Sequence, residues 1–85
     1  MTKLMNLKQM EPIARDATKH ALEGVELAQD IRERVVLGQF LEPEHGVFEL
    51  YVPGDRPTDA RVISVARVNR RTGEVNVEVR RPSVS

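Results

Sequence analysis

Two runs of alternating apolar and polar residues close the chain. Arg61 to Arg81 reads RVISVARVNRRTGEVNVEVRR, with valine-rich alternation on either side of Arg-Arg-Thr-Gly. A period of two specifies half-buried strands, and a short polar break containing glycine specifies a hairpin between them. Burial selects the register. A four-residue loop, Arg70 to Gly73, opposes Asn69 to Glu74 and pairs Val68 with Val75, Ala66 with Val77 and Ser64 with Val79 on one face. A three-residue loop would set Arg67 opposite Val77 among the buried valines, and a one-residue slip exchanges partners. Gly73 supplies the left-handed position at the end of the loop.

Upstream the period lengthens. Ala14, Ala17, Ala21, Val25 and Ala28 recur at spacings of three and four, Ile13 and Leu22 widen the stripe, and Arg15, Asp16, Lys19, Glu23, Glu26 and Asp30 lie mostly off it. That is an amphipathic helix. Its expected start is Glu11-Pro12, because proline suits the first helical position and an acidic side chain complements the helix dipole there. Residues 1–11 are then a flexible lead-in. Gly24 disfavours helix by about 1 kcal/mol relative to alanine, so the helix either stops there or continues to about Arg34.

Val35 to Leu41 is the next expected strand, and Pro43-Glu44-His45-Gly46 is a turn. Val47 to Val52 follows as a strand, with Phe48, Leu50 and Val52 on one face and Glu49 and Tyr51 on the other. The composition of Pro53 to Asp59 fits only a loop. Residues 82–85 are a tail.

These elements predict an α+β domain over residues 12–81. Its N-terminal helix packs on one face of a three- or four-stranded antiparallel meander. The opposite face is expected to be open, with Ile63 and Val65 beside Arg67 and Arg80.

Size and charge refine this picture. Eighty-five residues make one domain with a thin core. Phe40, Phe48 and Tyr51 are its only aromatics, so the core is aliphatic, and such a core often leans on a partner or a second copy. The absence of cysteine rules out disulfides and thiolate metal sites. The N-terminal residues lack the apolar stretch of a signal peptide and nothing spans a membrane, so the expected location is the cytoplasm. The net charge is zero but unevenly spread: residues 1–55 sum to −4 and residues 56–85 to +4. Asymmetry of this kind can mark a surface for an anionic partner, although two separately solvated faces give the same pattern.

Candidate chemistry is sparse. Ser64 lies in mid-strand without the strand-to-helix elbow of a nucleophile. Asp16 and His20 share a helix face, but two ligands do not make a metal site. Asp55 and Asp59 fit turn capping, and no glycine-rich phosphate loop is present. No enzymatic activity, cofactor or metal is expected. Arg67, Arg70, Arg71, Arg80 and Arg81 could meet phosphates or guanines, yet the hairpin has no aromatic for stacking and carries Glu74 and Glu78. Nucleic-acid binding through Arg70 and Arg71 is therefore the runner-up. The favoured reading is protein binding through Ile63, Val65, Arg67, Arg70, Arg71 and Arg80, since apolar residues rimmed by arginine are typical of interfaces. A structural subunit or homodimer is the third reading.

The order helix, strand, strand, hairpin resembles the small cystatin-like modules of PepSY domains and NTF2-fold immunity proteins. Phe48-Glu49-Leu50-Tyr51-Val52 and Asn69-Arg70-Arg71-Thr72-Gly73-Glu74-Val75 are the matching pieces, with Asn69 where those families carry an aspartate. The resemblance implies a non-catalytic inhibitor or immunity-type protein that occludes an enzyme or toxin. It implies no catalytic residues.

Overall fold

The computed structural model describes residues 3–26, 29–56 and 59–80. The first helix, α1, spans Leu7–Ala21 and a short helix, α2, spans Gln29–Arg34. Four strands follow: β1 (Val36–Leu41), β2 (His45–Val52), β3 (Arg61–Asn69) and β4 (Val75–Val79). They form one antiparallel sheet in the order β1-β2-β3-β4. The expected α+β meander is thus present, with four strands.

The helix begins five residues before Pro12. Asn6 is the N-cap: its side chain accepts from the Gln9 N–H at 2.9 Å, while Gln9 Oε1 accepts from the Asn6 N–H at 3.0 Å. This reciprocal capping box satisfies two donors at once and outweighs the proline signal. Pro12 lies inside the helix, where its missing N–H leaves the Lys8 carbonyl without a helical partner. Residues 7–11, expected in the lead-in, are helical. Met5, just before them, is also held: its N–H donates to the Arg70 carbonyl at 3.0 Å.

The stop falls near Gly24. Leu22 caps α1, and Gly24 takes a positive φ of 82°. The chain turns there before α2, so the stripe ends at Leu22. Val25 lies beyond the helix, and Ala28 is outside the described residues.

The core forms where α1 meets the hairpin. Met10, Ala14, Phe48, Ala66 and Val68 are buried together, with Met5, Leu7, Ile13, Val75 and Val77 packed around them. Val68 opposes Val75, Ala66 opposes Val77 and Ser64 opposes Val79, the register that burial predicted. Asn69 N–H donates to the Glu74 carbonyl at 2.7 Å and Gly73, at φ 79°, closes the loop. One side chain is ill served: the Ser64 hydroxyl is buried with no hydrogen-bond partner among the described residues.

A small residue lets the helix approach β2. A Cβ at Gly46 would overlap the Met10 side chain, which is fully buried. The α1 helix lies chiefly over β3 and β4 and barely reaches β1. That offset leaves most of β1 exposed.

Candidate functional site

The six arginine and apolar positions proposed from sequence do not form one surface. Ile63 and Val65 are buried, each 8% exposed. They lie on the sheet face away from α1, as expected, but that face does not offer them. Val65 sits between Glu49 and Glu78 in adjacent strands. The β2–β3 register also slips by one residue beyond Leu50: Leu50 opposes Ser64, Tyr51 opposes Val62, and Ile63 is passed over. A bulge of this kind increases local twist. The expectation of an open apolar patch at Ile63 and Val65 is corrected accordingly.

The arginines are mostly engaged within the chain. Arg67 forms an ion pair with Glu42 at 3.5 Å that crosses β2 beside the buried Val47. Arg80 pairs with Glu78 at 3.5 Å. Arg70 is structural. Its Nε donates to the Met5 carbonyl at 2.9 Å and its Nη1 to the carbonyls of Pro43 and Glu42 at 3.1 and 3.3 Å. Its backbone N–H also donates to the Glu44 carbonyl at 3.0 Å. The guanidinium fork therefore ties the hairpin loop to the lead-in and to the β1–β2 loop. Arg71 is exposed at the same loop, where its N–H donates to Asn69 Oδ1 at 2.8 Å. Arg70 and Arg80 stand at opposite ends of β3.

The exposed apolar surface is on β1. Val36, Leu37, Phe40 and Leu41 are each between 40% and 48% exposed. The strand reads VLGQFL and contains no charge and no proline. Because β1 is at the edge of the sheet, one side of its backbone faces no strand. Natural edges are usually protected by charge, proline or a bulge. The other edge, β4, alternates valine with Asn76 and Glu78; β1 has no such protection.

The pleat divides β1 into two sets. Val36, Gly38 and Phe40 oppose Tyr51, Glu49 and Val47 on the outer face, whereas Leu37, Gln39 and Leu41 oppose Leu50, Phe48 and Gly46 on the helix side. On the outer face the Tyr51 ring lies against Gly38, where an added Cβ would come within 3.2 Å of it. On the helix side the offset of α1 opens a cleft of ≈ 350 Å³ lined by Ala14, Thr18, Leu22, Leu37, Phe48 and Leu50, with Glu11, Arg15 and Lys19 also on its walls. In the sequence β1 shows only as a strand. The available signal is six consecutive uncharged residues in a chain whose charged residues make up 31%.

Among the described residues no group of three or more His, Cys, Asp or Glu side chains is placed to hold a metal ion. His20 pairs with Glu23 at 3.3 Å. No described helix is long and apolar enough to cross a membrane. No protein family, curated protein or solved structure matches this chain.

Proposed function

We propose that this protein is a small non-catalytic protein-binding module and that β1 is the element it binds with. The observation that carries the reading is the unprotected edge: four large apolar side chains at least 40% exposed on an uncharged strand. An extended segment added to such an edge gains main-chain hydrogen bonds, and side-chain contacts on both faces give it specificity. Nucleic-acid binding draws less support, because Arg70 is spent on three carbonyls and Arg67 and Arg80 are paired with carboxylates.

The test is a photo-crosslinking amino acid in place of Gln39, expressed in the native host, with the same probe in place of Arg71 for comparison. Polypeptide adducts at Gln39 support the proposal. Adducts only at Arg71, or at neither position, contradict it. A foreign polypeptide captured at Gln39 whose own activity is lost on binding would give the module an inhibitor or immunity-type role.

A further inference from the structure

We propose that the strand β1 receives is β1 of a second copy, running antiparallel, with Gln39 on the two-fold axis. The inference rests on the reading of β1 as the docking edge and names its occupant.

The hydrogen-bond ladder fixes which residues are available. Glu42 N–H donates to the His45 carbonyl at 2.7 Å, just beyond the last β1–β2 pair. Antiparallel ladders alternate between bonded and non-bonded pairs. Counting back from Glu42, the bonded pairs are Phe40–Val47, Gly38–Glu49 and Val36–Tyr51. Leu37, Gln39 and Leu41 therefore direct their N–H and C=O groups to the open edge.

Those three positions are self-complementary. A two-fold axis perpendicular to the sheet keeps like faces together, so a residue of one copy opposes a residue of the same parity in the other. With Gln39 on the axis, Gln39 bonds to Gln39, and Leu37 opposes Leu41 on the helix side in both halves. On the outer face Phe40 of one copy lies over Gly38 of the other, beside the Tyr51 ring that already rests there. The exposed leucines and phenylalanine are covered in one step.

Charge sets the direction. The strand carries none, so self-pairing opposes no like charges along its length. Its flanks differ in sign, with Arg32 and Arg34 ending α2 on one side and Glu42 and Glu44 beyond the other. Antiparallel pairing brings the arginine-flanked end of each strand beside the glutamate-flanked end of the other. Parallel pairing would place arginine beside arginine and glutamate beside glutamate, which is destabilising in a sheet. The product is a continuous eight-stranded sheet with an isologous interface.

The chain has no cysteine, which makes placed thiols unambiguous. Light scattering coupled to gel filtration should give twice the 9.6 kDa chain mass. Leu37→Lys and Gln39→Pro should each halve it while circular dichroism stays unchanged; the proline removes an N–H directed at the open edge and leaves the β2 ladder intact. Oxidation of Gln39→Cys should yield a covalent dimer, and oxidation of Arg71→Cys should not. A dimer that survives both substitutions, or that crosslinks through Arg71→Cys in place of Gln39→Cys, overturns the interface. A monomer at every concentration overturns self-pairing alone; docking at β1 then stands or falls on photo-crosslinking to a foreign polypeptide.

Discussion

Arg70 Nε donates to the Met5 carbonyl at 2.9 Å, joining residues 65 positions apart. The same guanidinium reaches Pro43 and Glu42, so one side chain fixes the start of α1, the β1–β2 loop and the hairpin against each other. Charge-assisted bonds of this kind contribute more than neutral ones.

Replacing Arg70 should therefore act on stability. Arg70→Ala is expected to lower the unfolding free energy by about 2 kcal/mol, because three carbonyls lose a charged donor together. Arg70→Lys should recover little, since a single ammonium cannot reproduce the planar fork. Urea denaturation of the two variants checks this. An Arg70→Ala protein as stable as the parent would show that the bonds carry no weight.

Gly46 and Met10 form a second coupled pair. Gly46→Ala should destabilise by about 1–3 kcal/mol through overpacking against the buried Met10. In a Met10→Ala background the same change should cost less, and the double-mutant cycle should give a clear coupling energy. Additive effects would mean that the helix and β2 are not in tight contact there.

Ser64 offers a gain. Its hydroxyl is buried, 1% exposed, and has no partner among the described residues. Removing an unsatisfied buried polar group recovers its desolvation penalty, so Ser64→Ala should raise stability by about 1 kcal/mol. Thermal unfolding reads the sign, and a clear loss would reveal a partner for the hydroxyl.

The N-cap supplies a local test. Asn6→Ala should cost about 1 kcal/mol and speed amide exchange in the first turn of α1. If the helix began at Pro12 instead, the substitution would leave both quantities unchanged.

What the sequence revealed depended on how local the signal was. The hairpin register was legible because only one pairing hides Ala66, Val68, Val75 and Val77 together. The helix start was misread because Pro12 is a familiar opening signal, while the Asn6–Gln9 box needs two side chains to be seen as reciprocal. The role of Arg70 was hidden, because its acceptors at Met5, Glu42 and Pro43 are adjacent only after folding. Burial of Ile63 and Val65 was hidden, because an alternating pattern announces neither what covers a sheet face nor the register slip beside Ile63. The site at β1 was missed because a strand's pattern does not say whether it lies at an edge, and the offset of α1 toward β3 and β4 is a packing outcome.

Residue-resolved hydrogen exchange across a protein concentration series tests the docking edge most directly. Gly38 and Phe40, bonded to β2, should be protected throughout, whereas the amides of Leu37, Gln39 and Leu41 should slow together as concentration rises and a second strand covers them. If those three amides exchange at the unprotected rate at every concentration and with every captured polypeptide, β1 is not a binding strand.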